Sequence, residues 1–154
     1  MKNKALIYYE DGSLKYEGQS NHGTPHGRGI AYWENGNVWY EGQFVDGQPK
    51  GYGKYYLPDG TLRYEGETEE LQYAGKGIEY YKNGNIKFIG IFSKTPRFFY
   101  GARNYVKGRL YYEDGSLNYN GTFQTGKSAT FKDGVEYLLD GTPRLHGSIH
   151  MTIN

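Results

Sequence analysis

The chain contains no cysteine, which excludes a disulfide scaffold, thiolate metal sites and a thiol nucleophile. It has no apolar run near the ~20 residues that a membrane-crossing helix needs. The apolar stretch after Lys2 and Lys4, Ala5-Leu6-Ile7-Tyr8-Tyr9, is too short for a secretory signal. Bulky apolar residues are scarce, with Leu, Ile, Val and Phe together 29 of 154. Charge of one sign is also lacking: 18 Lys and Arg against 17 Asp and Glu give a net +1. There is thus no global field to draw the chain to nucleic acid. These absences lead to the expectation of a soluble, cytoplasmic protein. What the chain does have is 24 glycines and 18 tyrosines, so apolar burial has to come from phenol rings, which suits a thin structure.

The glycines recur. Asp-Gly or Asn-Gly pairs end at Gly12, Gly36, Gly60, Gly84, Gly115 and Gly141, at intervals of 24, 24, 24, 31 and 26 residues. A tyrosine stands four positions before each: Tyr8, Tyr32, Tyr56, Tyr80, Tyr111 and Tyr137. A glycine stands six positions after each, from Gly18 to Gly147, and five of the six have another seven before. Such a period marks a repeat architecture.

Asn-Gly and Asp-Gly favour two-residue type I′ hairpin turns. Counting outward from Asn35-Gly36 then pairs Trp33 with Val38, Tyr32 with Trp39, Ala31 with Tyr40 and Gly29 with Gly42. One face would carry apolar residues and the glycine pairs, bare backbone on which a neighbouring ring can lie. The other would carry the recurrent tyrosines beside Lys15, Trp39, Arg63, Lys87 and Asn118. Longer connections are expected at Gln19–His26, Gln43–Lys50, Glu67–Ala74 and Phe92–Lys107. The fold expected is all-β: a single-layer twisted antiparallel meander of about six hairpins, ~12 strands. It forms one domain over 1–154 with an irregular insertion at 92–107.

The unit Tyr40-Glu41-Gly42-Gln43-Phe44-Val45-Asp46-Gly47, then Gly51-Tyr52-Gly53, Tyr56 and Asp59-Gly60, resembles a MORN repeat. Tyr16-Glu17-Gly18 and Tyr64-Glu65-Gly66 open further copies. Phe88-Ile89-Gly90 and Tyr119-Asn120-Gly121 lack the glutamate. The longer period is similar to a bacterial variant found in YwqK-type antitoxin or immunity proteins. The resemblance implies a non-catalytic binding module, since MORN arrays are credited with protein contact, homodimerisation and acidic-lipid contact.

Two regions are candidates for partner contact. The tyrosine row, with Tyr32, Tyr56, Tyr80 and Arg63, offers large contact area and cation–π character, although repeat geometry alone also accounts for the tyrosines. Trp39 stands apart, because no equivalent position carries an indole, and surface tryptophan favours interfaces. The stretch Phe92–Lys107 lengthens the period by seven residues and holds Arg97, Phe98, Phe99, Tyr100 and Arg103. Aromatic and arginine enrichment is the composition of an interface core; the alternative is a loop covering the apolar face. The preceding connection is acidic, with Glu65, Glu67, Glu69 and Glu70, and Glu79 follows further on.

His22 with His26 and His146 with His150 lack a third metal ligand, and the glycines do not open helices as a phosphate loop requires. No catalytic site, metal or cofactor is expected. The expected partner is another protein, a toxin or effector in the antitoxin reading, with a homodimer open because both sheet ends present strand edges. Peripheral binding to anionic lipid through Arg97, Arg103, Lys107 and Arg109 is the alternative, and an enzyme built on the sheet a weaker one.

Overall fold

The computed structural model describes residues 3–94, 104–124 and 130–147. Among them there is no helix; the chain forms twelve strands. These are β1 (Asn3–Tyr8), β2 (Leu14–Asn21), β3 (Thr24–Tyr32), β4 (Val38–Val45), β5 (Gln48–Tyr56), β6 (Leu62–Glu69), β7 (Gln72–Tyr80), β8 (Ile86–Phe92), β9 (Tyr105–Tyr111), β10 (Leu117–Gln124), β11 (Thr130–Tyr137) and β12 (Pro143–His146). They follow one another in chain order as an antiparallel meander. The expected all-β fold and its strand number are what the structure shows. Two compact units, 1–74 and 75–154, are described separately below.

The glycine-centred reversals differ from expectation by one residue. Trp33 N donates to the Asn37 carbonyl at 2.8 Å and Gly36 N to the Trp33 carbonyl at 2.9 Å. The loop is therefore Glu34-Asn35-Gly36, and only Gly36 (φ 89°) has positive φ. That is a type I turn closed by a left-handed glycine, not a type I′ turn. The same pair of bonds closes all six reversals. The Asx side chain selects this form: Asn35 Oδ1 accepts from Asn37 N at 2.9 Å, and Asp11, Asp59, Asn83, Asp114 and Asp140 act alike.

The extra loop residue shifts the register and is absorbed by a bulge one step later. Gly29↔Gly42, Ile30↔Glu41 and Ala31↔Tyr40 pair as expected, but Tyr32 faces Val38 and Trp39 is the bulged residue. Lys15, Arg63, Lys87 and Asn118 are skipped in the same way. Val38, Leu62 and Ile86 thus share the recurrent tyrosines' face, not the glycine face.

The tight type I′ turns lie instead at the connections expected to be long. His22 and Gly23 (φ 50°, 83°), Asp46 and Gly47 (49°, 87°), and Glu70 and Leu71 (49°, 64°) each take two positive-φ positions. In unit 2, pairing reaches Phe92↔Tyr105, and Ser93 N donates to the Asn104 carbonyl at 2.7 Å. Phe92 and Tyr105, expected in the insertion, are therefore buried strand residues, each 1% exposed.

The core is one face of each unit. Tyr16, Tyr40 and Tyr64 in unit 1, and Phe88 and Tyr119 in unit 2, are buried. The rings of Tyr16, Tyr40, Phe88 and Tyr119 each lie along their own strand over a cross-strand glycine pair, so that Cβ atoms there would overlap them. The tyrosine hydroxyls reach the carbonyl three residues on: Tyr16 to Gln19 at 2.5 Å, Tyr40 to Gln43 at 2.9 Å, Tyr64 to Glu67 at 2.6 Å and Tyr119 to Thr122 at 2.8 Å. Glycine is needed here because the ring must meet bare backbone. Second rings cover the first: Tyr73 stacks on Tyr64 at 3.9 Å, Tyr105 on Phe88 at 3.8 Å and Phe131 on Tyr119 at 4.0 Å. Burying each such side chain stabilises the fold by ~3 kcal/mol, which is how a chain poor in aliphatics acquires a core.

Neighbouring repeats are tied at the turns. Trp33 Nε1 donates to the Tyr56 carbonyl at 3.1 Å and Tyr9 Oη to the Tyr32 carbonyl at 2.5 Å. Asn35 and Asn37 both donate to the Pro58 carbonyl, at 2.7 and 2.8 Å. Unit 2 repeats the device with Tyr81 to Tyr111, and with Asn83 and Asn85 to Glu113.

Candidate functional site

Strand alternation assigns every residue to the ring-tiled face or to the open face behind it. In unit 1 the register places Leu6, Glu17, Ile30, Glu41, Lys54 and Glu65 in one row across the open face. Glu17, Glu41 and Glu65 recur at the 24-residue period. Lys54 lies 4.0 Å from Glu65; neither Arg28 nor Glu41, both exposed, has an ion pair among the described residues.

This face is concave enough to hold a groove of about 620 Å³, lined by Lys4, Leu6, Glu17, Arg28, Ile30 and Glu41 beside Gly18, Gly29 and Gly42. A second hollow of about 300 Å³ continues past Arg28 and Glu41 to Gln43, Tyr52, Lys54 and Glu65. Leu6, Tyr8 and Tyr52 remain 59%, 55% and 55% exposed. The surface thus combines apolar contact area with charges of both signs.

The same row in unit 2 reads Ile78, Ile89, Arg109, Asn120, Val135 and Leu145. It carries four aliphatic side chains, one cation and one amide, and Ile89 and Leu145 are over a third exposed. The two units therefore present different chemistry on equivalent strands.

The residues expected to meet a partner divide between faces. Tyr32 and Tyr56 lie on the open face of unit 1, half-buried and paired with Val38 and Leu62. The Tyr32 hydroxyl donates to Glu17 Oε1; burial first, and this bond second, push its pKa up to about 12. Tyr80 holds the equivalent place in unit 2, opposite Ile86. Trp39 is not with them. Its indole packs on the tiled face, with ring centroids 6.1 Å from Trp33, 6.3 Å from Tyr40 and 6.0 Å from Tyr55. Arg63 is the bulged residue of its own repeat. Arg97, Phe98, Phe99, Tyr100 and Arg103 lie outside the described residues.

The acidic connection also separates. Lys50 lies 3.8 Å from Glu69, whereas Glu79 is buried on the tiled face of unit 2. Lys87 Nζ stands 3.4 Å from Glu79, and the Tyr105 hydroxyl donates to it at 2.7 Å. This is an internal ion pair, not surface charge. His26 meets Asp46 at 3.6 Å and His146 meets Glu136 at 2.8 Å; His150 lies outside the described residues. Among the described residues no three His, Asp or Glu side chains gather as a metal site would require.

Sequence reasoning missed Arg28, Glu41, Leu6 and Tyr52. The 24-residue recurrence of Glu17, Glu41 and Glu65 was the signal that could have found the row.

Comparison with family models matches residues 16–38 and 40–62 to the MORN repeat, and 3–22 and 74–94 to the MORN repeat variant. This is a MORN-repeat protein. The boundaries fit the structure: the match to the MORN repeat over 16–38 begins at the core tyrosine of β2 and ends after the next glycine turn. MORN repeats are generally binding modules for proteins or lipids and are typically non-catalytic. Comparison with curated proteins finds no significant match.

Proposed function

We propose that this MORN-repeat protein binds another protein through the open face of unit 1, without catalysing a reaction, and that it neutralises or scaffolds that partner as an antitoxin or immunity protein does. One observation carries the reading: the 620 Å³ groove, in which Arg28 and Glu41 stand exposed beside Leu6 and Ile30, with no ion pair among the described residues. Apolar contact area rimmed by charges of both signs is the anatomy of a specific protein contact.

The test is capture from lysate by the immobilised chain, comparing wild type with the double variant Arg28→Glu, Glu41→Lys. A protein held by the wild type and released by the variant, with melting temperature unchanged, supports the reading. Identical capture by both overturns it. The antitoxin role is checked separately, by whether co-expression of the chain relieves growth arrest caused by the captured protein.

The open face of unit 2 favours a second reading. Lys107 and Arg109 are exposed there beside Ile89, a combination suited to an anionic membrane surface. Phosphatidylserine vesicles retained at low salt and released at high salt, by wild type but not by Lys107→Glu, Arg109→Glu, would shift the assignment to lipid.

A further inference from the structure

On the tiled face, the row that holds the core rings has a gap. Between Tyr16 and Tyr40 stands Ala31, whereas the equivalent position is Tyr55 between Tyr40 and Tyr64, and Leu110 between Phe88 and Tyr119. Ala31 leaves a cavity of about 210 Å³ walled by Ile7, Tyr16, Trp39 and Phe44. Lys15 lies at the same cavity, with its Nζ 5.4 Å from the Tyr9 ring centroid.

Three features of this gap point to a ligand. Its walls are apolar and aromatic, and they are fixed: Phe44 meets Tyr16 edge-on at 5.0 Å and Tyr40 at 5.1 Å. Its size is below the ~300 Å³ at which drug-sized sites begin and suits one aromatic side chain. Its one charge is an ammonium on a flexible stem, which favours a carboxylate near the apolar group. The bulge supplies the fourth wall, because the residue it turns onto this face is Trp39 here and Lys, Arg or Asn in the other repeats.

We infer that the cavity above Ala31 receives a single aromatic side chain, flanked by a carboxylate, from the protein partner. Lys15 meets the carboxylate and Trp39 packs on the ring. This deepens the protein-binding reading and rests on it, adding an anchor pocket on the second face of unit 1. Buried aromatic anchors in pockets of this kind dominate many interfaces.

The probe is 3-phenylpropionate, titrated into the isotopically labelled chain, with neutral 3-phenylpropionamide as control. Saturable NMR shifts are expected at Ala31 and the Trp39 indole, with Tyr119 unmoved and the amide about threefold weaker. Ala31→Leu, which copies Leu110 at the equivalent position, should fill the gap, keep the melting temperature and abolish both responses. No shift up to the solubility limit, or an equal response in Ala31→Leu, overturns the inference; equal binding of acid and amide overturns the role of Lys15. The titration contains no partner protein, so a filled cavity in a chain that captures no protein refutes the protein-binding reading, and with it the partner as occupant, while the pocket and its ligand chemistry stand. An empty cavity in a chain that loses its partner on reversal of Arg28 and Glu41 refutes this inference alone.

Discussion

The ring of Tyr40 lies so close over Gly53 that a Cβ on Gly53 would overlap it. This contact explains why glycine and tyrosine recur together: one supplies bare backbone, the other the surface that covers it. Gly53→Ala should therefore cost about 3 kcal/mol in urea unfolding, because neither the ring nor the neighbouring strand can retreat. Gly60→Ala has open space around it but sits at φ 90°, and should cost only about 1 kcal/mol. An equal loss for the two would remove the ring contact from the account.

Leu71 occupies a left-handed position, φ 64°, where the equivalent residues are Gly23 and Gly47. Leu71 is also 53% exposed, so little packing offsets the strain. Leu71→Gly should raise stability by about 1 kcal/mol, read as a higher urea midpoint at unchanged slope. A lower midpoint would show that the turn does not hold this conformation.

How much of this was legible in the sequence depends on a single residue per turn. The glycine pairs fixed Gly29 opposite Gly42 and Ala31 opposite Tyr40, and the strand count followed from the period. Asn35-Gly36 alone fits either a two-residue type I′ turn or a three-residue loop. The polar residue after the glycine, Asn37 here and Ser13 or Thr61 elsewhere, lets the Asx side chain cap its N–H and so selects the longer loop. Missing that cap exchanged the faces of Val38 and Trp39. The pocket above Ala31 was invisible for the same reason, since nothing in the residue pattern places Trp39 beside Ala31 until the bulge is known.

Lys87 and Glu79 form a pair whose side chains are 15% and 9% exposed. Lys87→Met would take the cation away from a carboxylate that stays buried, and should cost about 3 kcal/mol. Adding Glu79→Leu, the residue type that Leu110 provides at the equivalent position, removes the unpaired charge but also the acceptor of the Tyr105 hydroxyl, and should restore only part of the loss. A double-mutant cycle with no coupling would contradict the pairing.

Tyr32 is one of the tyrosines that contribute to an alkaline limit of the fold. Its pKa is raised to about 12, by burial and then by its bond to Glu17, against about 10 in an unfolded chain. The folded state holds this proton more tightly, so the contribution is full below about pH 10 and is lost as pH rises through about 12. NMR of labelled tyrosine Cζ should show the Tyr32 midpoint near about 12, falling toward the ordinary value in Glu17→Gln. A midpoint unmoved by that change would dissociate Tyr32 from Glu17.

The central claim is that the glycine-facing tyrosines are sealed core while the opposite face is free for a partner. Nitration with tetranitromethane, followed over time by mass spectrometry, tests it directly. Tyr8 and Tyr52, each 55% exposed, should be nitrated early, whereas Tyr40, Tyr64 and Tyr119, with no exposed surface, should react only when the chain unfolds. Nitration of Tyr40 or Tyr64 in the folded chain at the rate of Tyr52 would contradict the account.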